Sequence, residues 1–401
     1  MRAAIYRKGE IVVGDVADPT PVEGQVLVKT LCCGICGSDL HAAKHMRQFA
    51  DLAQRTGGRW ALDPERDVVF GHEFCCEVVE HGPGTPKRLK PGALVVSMPM
   101  TLTGTLTGTL TGTLTGTLTG TLTGTSTGTP TGTPTGTPTG GTVLGIGYSN
   151  DTAGGFAQYM PLADRLLLEV PNGLPAAQAA LTEPIAVGWH AVQRSRLTAE
   201  DVALVIGCGP VGLAVIASLK VARLQMKGGQ PIIAADFSPA RRALALRMGA
   251  DIVVDPATNS PYAAWQDAAT PAGHDPSRFA QLFDVGPKQR PAVIFECVGV
   301  PGMIQQVLQG APAGARVVVV GVCMETDRFE PFFGIVKQLN VQFVLAYTAA
   351  EFADSLHHIA EGRIDVTPLI TGQVGLAGVR GAFADLANPE RHAKILVDPW
   401  L

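Results

Sequence analysis

Apolar and polar positions alternate over short stretches in the first hundred residues, and Gly and Pro separate these stretches. This alternation is typical of half-buried strands bounded by turns. It predicts strands at residues 3–6, 25–31, 68–79 and 93–98. We therefore expect an all-β region of the barrel kind in this part of the chain.

The pattern changes at about residue 184, where apolar strands begin to alternate with helical periodicity. Strands are predicted at residues 202–206, 232–235, 293–296 and 316–320, and helices from residues 211 and 239. Alternation of this kind predicts a doubly wound parallel sheet, so the fold class is α/β with a β-rich partner domain.

The last part of the chain, beyond about residue 345, predicts helices at 351–361 and 379–386 and a strand at 394–397. We expect these pieces to return to the first domain. The predicted division is a β-rich domain of residues 1–185 and 346–401, and an α/β domain of residues 186–345.

A tetrapeptide repeat separates the two patterns at residues 101–140. It consists of six copies of Thr-Leu-Thr-Gly, one Thr-Ser-Thr-Gly and three Thr-Pro-Thr-Gly. A Gly in every unit raises the entropy cost of ordering, and no large side chain offsets it, which favours a flexible surface insertion. The alternative is a β-stack with one face of Thr, since alternate residues of an extended chain point to opposite sides.

Composition excludes several classes of protein. The 401 residues are 46% apolar and 16% charged, enough for two domains with a core each. A net charge of -4 without basic runs predicts no nucleic-acid partner, and no apolar run reaches the length of a membrane span. The eight cysteines lack the spacing of a disulfide framework, and no targeting segment is recognisable, so we expect a cytoplasmic protein.

A glycine-rich motif follows the predicted strand at residues 202–206 and begins a predicted helix. It reads Gly207, Cys208, Gly209, Pro210, Val211 and Gly212. In this context Gly207 permits a tight turn, Gly209 permits close approach of a pyrophosphate, and Gly212 permits close packing of helix and strand. The motif alone is weak, but the strand before it and the helix after it indicate a dinucleotide site.

The next predicted strand ends at Asp236, 24 residues beyond Gly212. A carboxylate there accepts hydrogen bonds from the ribose hydroxyls of NAD and repels the 2′-phosphate of NADP, so NAD is the predicted coenzyme. Arg241 is a candidate for contact with the adenosine, and a solvated helix charge is the alternative.

Candidate metal ligands stand near the start of the chain. Cys33 and Cys36 are separated by Gly-Ile. They are followed by Ser38, Asp39 and His41, and later by Gly-His72-Glu73. The cysteine pair has no second C-x-x-C partner, which argues against a structural zinc knuckle. Taken singly, His72 is equally consistent with a buried core histidine.

Together these motifs resemble the zinc-containing medium-chain dehydrogenases, closest to their polyol and butanediol branch. The resemblance also includes residues 181–184, 295–299 and 392–397, and it covers nearly the whole chain except residues 101–140. It implies a GroES-like β-barrel catalytic domain and a Rossmann coenzyme domain. It also implies hydride transfer between a small alcohol, diol or polyol, or the matching carbonyl compound, and NAD.

The resemblance assigns roles to individual residues. Cys36 and His72 correspond to zinc ligands, and either Glu73 or Glu183 is the third ligand, a choice that the sequence leaves open. Ser38 and His41 match a proton relay. Asp39 is expected to orient its neighbours, and a turn residue is the alternative. Thiolate, imidazole and carboxylate with an open fourth position suit a catalytic zinc, which would act as a Lewis acid on the substrate hydroxyl.

The sequence departs from many relatives in one respect. It has no cysteine between Cys76 and Cys208, where such relatives carry a four-cysteine structural zinc. We therefore expect one catalytic zinc per chain and no structural zinc. The resemblance implies a homo-oligomer, a dimer or tetramer, although the missing lobe often contributes to subunit contacts.

Two other functions compete with alcohol oxidation. One is a zinc-free quinone or enone reductase of the same fold, which the candidate ligands and Asp236 argue against. The other is a catalytically silent NAD-binding protein whose repeat mediates self-association, which the intact relay positions disfavour.

Overall fold

The structure of this chain is a computed structural model that describes residues 1–56, 62–103, 142–274 and 287–401. The tetrapeptide repeat of residues 101–140 lies outside the described residues from residue 104 onward, and so do the two structures predicted for it. Contacts divide the chain into two compact units. Unit 1 contains Met1–Glu183, Tyr347–Asn388 and Lys394–Leu401, and unit 2 contains Pro184–Ala346 and Pro389–Ala393. The division predicted from the sequence, residues 1–185 with 346–401 and residues 186–345, remains a prediction.

Strands dominate the elements of unit 1 before residue 182. In chain order they are β1 Arg2–Arg7, β2 Glu10–Asp15, β3 Gln25–Gly34, α1 Gly37–Lys44, α2 Met46–Arg55, β4 Glu73–His81, β5 Leu94–Ser97, β6 Met100–Thr103, β7 Thr142–Gly145, β8 Tyr159–Ala163, β9 Leu167–Glu169 and α3 Ala176–Ala179. The helix α4, Thr182–Ser195, begins at the border of the two units.

Strands and helices alternate in unit 2. They are β10 Val202–Ile206, α5 Pro210–Gln225, β11 Ile232–Ala235, α6 Pro239–Met248, β12 Ile252–Val254, α7 Pro261–Ala269, β13 Ala292–Glu296, α8 Met303–Gly310, β14 Arg316–Val319, α9 Pro331–Lys337 and β15 Asn340–Phe343. The chain then returns to unit 1 with α10 Ala349–Ala360, β16 Ile370–Val374, α11 Val379–Asp385 and β17 Lys394–Val397.

The main sheet of unit 1 is largely antiparallel. Its strand order is β16, β17, β3, β4, β5 and β9, and β8 also pairs with β3. The register of β3 against β4 places Gly34 opposite Glu73 and Cys33 opposite Phe74. The same core cluster contains residues of β3, β4, α11 and β17, so the last segment of the chain completes the core of unit 1.

The strand predicted at residues 68–79 is wrong at its start. The observed strand β4 begins at Glu73, and Val68 forms only an isolated bridge with Tyr6. Gly71 has a φ of +99°, and a Cβ there would lie 2.9 Å from the Cys33 sulfur. This left-handed turn ends the extended run and directs residues 72 and 73 towards the start of α1. The expectation of an all-β region in the first hundred residues is also wrong, since helices α1 and α2 follow β3. Eight short strands were not predicted, because their stretches lack clear alternation: β2, β6, β7, β8, β9, β12, β15 and β16.

The sheet of unit 2 is parallel, with the strand order β12, β11, β10, β13, β14 and β15. Every residue of β10, β11 and β13 is buried, as expected for strands covered on both faces. The order reverses beside β10, so the carboxyl ends of β10 and β13 flank the switch point at which such sheets bind ligands.

Candidate metal centre and coenzyme-binding loop

Three potential ligands meet in unit 1 at the junction of α1 and β4. The ligand atoms of Cys36, His72 and Glu73 all lie within 4.8 Å of one another. Cys36 caps the N-terminus of α1, and His72 and Glu73 stand where β4 begins. His72 is 7% exposed and Glu73 is 1% exposed. The sequence-predicted ligands therefore form a compact, largely buried group.

Asp39 holds two of these ligands in place. Its side chain is fully buried, and its Oδ2 accepts a hydrogen bond of 3.0 Å from the backbone N–H of Cys36. Its Oδ1 lies 3.2 Å from Nδ1 of His72. A carboxylate beside one ring nitrogen favours use of the other, Nε2, for a metal.

Glu73 is paired with a buried lysine. Nζ of Lys394 lies 2.7 Å from each oxygen of the Glu73 carboxylate and donates to the carbonyl oxygen of Ile35 at 3.0 Å. Lys394 is 1% exposed and is the first residue of β17. A buried carboxylate needs such a partner, because an isolated buried charge is very costly. Its remaining lone pairs still allow it to bind a cation.

Glu183 lies at the start of α4 and is 9% exposed. Its Oε1 accepts a hydrogen bond of 2.9 Å from the hydroxyl of Tyr347. Burial raises the pKa of Glu183 to about 7, and the negative charge of Glu73 adds to this rise. Among the described residues the compact triplet includes Glu73 and does not include Glu183.

This donor set fits a catalytic zinc ion. Zinc accepts thiolate, imidazole and carboxylate ligands, and three protein ligands leave a fourth position for substrate. The burial of the Glu183 carboxylate beside the triplet is a second sign that a cation belongs here, since a nearby positive charge favours the charged form that burial disfavours. Cys33 lies outside the triplet, fully buried on β3, and burial raises the pKa of its thiol well above the ordinary value.

The predicted relay residues share one helix. Ser38 and His41 lie three residues apart on α1, so they occupy one helix face. Ser38 is half-buried and His41 is exposed. The hydroxyl of Tyr148 lies 2.8 Å from Oγ of Ser38 and 3.1 Å from Oδ1 of Asp39.

The glycine motif of unit 2 forms the predicted turn between β10 and α5. Gly207 has a φ of +91°, and a Cβ on Gly212 would lie 1.8 Å from the carbonyl oxygen of Gly207. Gly209 is the N-cap of α5, and among the described residues a Cβ there would meet only Cζ of Arg241, at 4.0 Å. Gly212 is thus required by packing, whereas Gly209 leaves open space at the helix N-terminus, with Pro210 and Val211 in the first turn.

Asp236 follows β11 beside this turn. Its Oδ2 accepts from the backbone N–H of Cys208 at 2.8 Å, and its Oδ1 accepts from that of Ser238 at 2.8 Å. Nη1 of Arg241 lies 3.9 Å from the same carboxylate. The predicted ribose-binding carboxylate and Arg241 are therefore brought to the glycine turn.

A cavity of about 270 Å³ lies further along the same sheet. Its lining includes residues that follow β13 and β14, such as Gly299 and Gly321, and Phe343 at the end of β15. Glu296 also lines it, and burial raises the pKa of this carboxyl. Carboxyl ends of parallel strands are the usual position for a ligand in such sheets.

Sequence reasoning missed three residues around the metal triplet, namely Tyr148, Tyr347 and Lys394. Only Lys394 left a signal, as a lone charge in the apolar strand β17. The two tyrosines have no motif around them. Their contacts join segments that are 110 and 164 residues apart.

Comparison with protein families identifies both units. Residues 22–172 match the alcohol dehydrogenase GroES-like domain, and residues 210–361 match the zinc-binding dehydrogenase family. The two matches agree with the predicted GroES-like and Rossmann fold classes. The first match contains the metal triplet, and the second begins at residue 210, within the glycine motif.

Curated relatives extend over the whole chain. An (R,R)-butanediol dehydrogenase of Bacillus subtilis (strain 168) is 30% identical over 401 residues, covering 100% of both chains. An (R,R)-butanediol dehydrogenase of Neisseria gonorrhoeae is 28% identical over 406 residues, again covering 100% of both. The crystal structure of 2R,3R-butanediol dehydrogenase from Bacillus subtilis superposes with a TM-score of 0.71, at 28% identity and 99% coverage of each chain.

Proposed function

We propose a diol or polyol as the substrate of this chain, which belongs to the zinc-binding medium-chain dehydrogenases in their butanediol and polyol branch. Members of this family are oxidoreductases that use zinc and a nicotinamide coenzyme to interconvert an alcohol and a carbonyl compound. The buried triplet of Cys36, His72 and Glu73 carries the zinc chemistry of the proposal, and the similarity to butanediol dehydrogenases supports the diol or polyol.

When bound, zinc would act as a Lewis acid on the substrate hydroxyl and the coenzyme would accept the hydride. The chain supplies the other functions. Asp39 orients His72 and the backbone of Cys36, Oγ of Ser38 accepts a hydrogen bond from the substrate hydroxyl, and His41 receives the proton. Because His41 is exposed, it can pass that proton to water.

We propose one zinc per chain, with Glu73 as the third ligand. The Glu73 carboxylate belongs to the compact triplet, whereas the Glu183 carboxylate accepts a hydrogen bond from Tyr347. The pair Glu73→Gln and Glu183→Gln tests this choice, since each change replaces an ionisable carboxyl by a neutral amide of the same shape. We expect Glu73→Gln to lose zinc and Glu183→Gln to retain it; the reverse pattern would make Glu183 the ligand.

The substrate class is tested with a matched set of alcohols. We expect zinc-containing protein to reduce NAD with 2,3-butanediol at a kcat/KM at least tenfold above that with 2-butanol, which lacks the second hydroxyl. A site that hydrogen-bonds a hydroxyl rejects the analogue without it, because its polar groups are left unpaired. Equal values for the two alcohols would exclude a diol site.

The same assay separates the alternatives. Bound zinc without turnover of any alcohol would favour the silent NAD-binding protein. Turnover of quinones or enones without zinc would favour the zinc-free reductase. A cytoplasmic location stays a prediction from the sequence. Within the described residues, no helix has the length and apolar character needed to cross a membrane.

NAD is the proposed coenzyme, and the position of Asp236 beside the glycine turn supports it. We expect Asp236→Ala to reduce the preference for NAD over NADP by about tenfold or more, because one charged hydrogen-bond acceptor is worth roughly 1.5–3 kcal/mol. The measurement is the ratio of kcat/KM for the two coenzymes. Glu200→Ala, at an exposed carboxylate paired with Arg290, is the control and should not change the ratio. An unchanged ratio in Asp236→Ala would assign the ribose to another group.

A homo-oligomer is proposed, with β15 as the interface strand. β15 is the edge strand of the parallel sheet, and Val341 and Phe343 are 40% and 65% exposed. In the preceding helix α9, Phe332 and Ile335 are 70% and 69% exposed. An apolar edge with unpaired backbone groups favours pairing with the same edge of a second copy about a twofold axis.

We expect Val341→Asp to shift the protein towards the monomer in sedimentation velocity at micromolar concentration. The reason is that like charges meet at an interface in which the same residue lies near its own symmetry mate. Val22→Asp, at a 46% exposed position of unit 1, is the matched control. A native protein that sediments as a monomer would contradict the proposal.

A further inference from the structure

Tyr148 is held rigidly beside the metal triplet. Its ring centroid lies 5.2 Å from that of His72, 5.3 Å from that of Phe49 and 6.1 Å from that of Phe70. Aromatic pairs at these separations stabilise a defined ring orientation. The ring therefore places the phenolic hydroxyl at a fixed point beside α1.

The hydroxyl of Tyr148 has two close neighbours and only one hydrogen to donate. Oγ of Ser38 is 2.8 Å away and Oδ1 of Asp39 is 3.1 Å away. An ionised carboxylate accepts hydrogen bonds and donates none, so the contact with Asp39 requires Tyr148 as the donor. If Tyr148 donated to Ser38 instead, its oxygen lone pairs would face the carboxylate oxygen at 3.1 Å without a proton between them.

The direction of the second bond follows from the first. With its hydrogen given to Asp39, Tyr148 can only accept from Ser38, so the Ser38 hydroxyl donates to Tyr148. The chain of bonds runs from Ser38 to Tyr148 to Asp39. The lone pairs of Ser38 Oγ are then the part of this hydroxyl that remains for a ligand.

We propose that Tyr148 is a positioning residue that keeps Ser38 a hydrogen-bond acceptor, so that the resting site selects ligands with a hydroxyl over ligands with only an acceptor oxygen. The inference rests on the proposed function in one point, that Ser38 contacts the substrate hydroxyl. The alcohol can donate to Ser38, whereas the carbonyl product cannot. The Ser38 hydroxyl must turn away from Tyr148 before its proton moves towards His41, so this rotation is part of turnover.

Tyr148→Phe tests the proposal, because it removes the phenolic oxygen and retains the ring. The probes are two small unreactive ligands, trifluoroethanol as hydroxyl donor and dimethyl sulfoxide as an acceptor without a donor. Calorimetry gives the Kd of each for the zinc- and NADH-loaded protein. In Tyr148→Phe we expect trifluoroethanol to bind about fivefold more weakly and dimethyl sulfoxide equally or more tightly, since Ser38 is free to donate.

Three controls separate this role from a structural one. Tyr6→Phe, at a buried tyrosine in the core of unit 1, should change neither Kd. Zinc retained after dialysis against a chelator and the melting temperature should match those of Tyr6→Phe. In a Ser38→Ala background, Tyr148→Phe should no longer change the ratio of the two Kd values, because the two residues act through one contact.

The outcomes distinguish the inference from the proposed function. Equal weakening of both ligands, or loss of zinc in Tyr148→Phe, would overturn the inference by showing that Tyr148 acts through Asp39 and the metal ligands. If Ser38→Ala itself leaves turnover and both Kd values unchanged, the proposed contact of Ser38 with substrate fails first.

Discussion

Cys36→Ser is expected to lose its zinc and to reduce alcohol turnover at least a thousandfold, while NAD binding stays within about threefold of the native value. Cys36 is one of three ligands in the compact triplet, and a serine hydroxyl is a poor substitute for a thiolate on zinc. A metal acting as a Lewis acid lowers the activation barrier by several kcal/mol, and about 4 kcal/mol corresponds to a thousandfold change in rate. The coenzyme turn belongs to unit 2, so its binding residues are unchanged.

Elemental analysis for zinc, steady-state kinetics and titration of NADH fluorescence measure the three quantities. Cys32→Ala is the matched control, since this cysteine lies on β3, four residues before Cys36, and is outside the triplet. The control is expected to retain zinc and turnover. Full zinc content in Cys36→Ser would refute the metal assignment, and zinc loss with unchanged turnover would refute the role of the metal.

Lys394→Met is expected to lower the free energy of unfolding by about 3–5 kcal/mol. Lys394 and Glu73 are each 1% exposed, and removal of one partner of a buried ion pair leaves the other charge without compensation. Methionine retains most of the apolar stem, so the loss reports mainly on the charge. Denaturant unfolding of metal-free protein measures it, which avoids the contribution of bound zinc to stability.

The double variant Lys394→Met with Glu73→Gln is the control for this interpretation. It removes both charges, and we expect it to recover at least half of the lost stability. If the double variant is as unstable as Lys394→Met alone, the loss arises from packing in the core of unit 1. A change below about 1 kcal/mol in Lys394→Met would show that the pair is solvated in solution.

Local patterns account for the parts of the protein that sequence reasoning predicted correctly. The parallel sheet of unit 2 follows from apolar runs separated by helical periodicity, and its predicted strands lie within one residue of the observed β10, β11, β13 and β14. The glycine turn was predictable because Gly207 has a positive φ and Gly212 packs against the carbonyl oxygen of Gly207, five residues earlier. The candidate ligands were identified by motif, with Cys36 on one segment and His72 and Glu73 on another.

The errors lie where short strands meet distant segments. The start of β4 was missed because Gly71 turns the chain against Cys33, which is 38 residues earlier in the sequence. Strands β2, β8 and β9 are short, and β8 is defined by its pairing with β3. Hydrophobic periodicity describes one segment at a time, so it carries little information about such pairings.

The sequence by itself determined the two fold classes and the coenzyme turn, because each depends on residues close together in the chain. Its motifs named the candidate zinc ligands but left the third open between Glu73 and Glu183. Only the tertiary structure decided how the site is held. Lys394 reaches Glu73 across 321 residues, Tyr347 reaches Glu183 across 164, and Tyr148 reaches Ser38 across 110. These polar groups are buried or half-buried, so each must find its hydrogen-bond partner within the folded unit, and no local pattern encodes which distant residue that partner is.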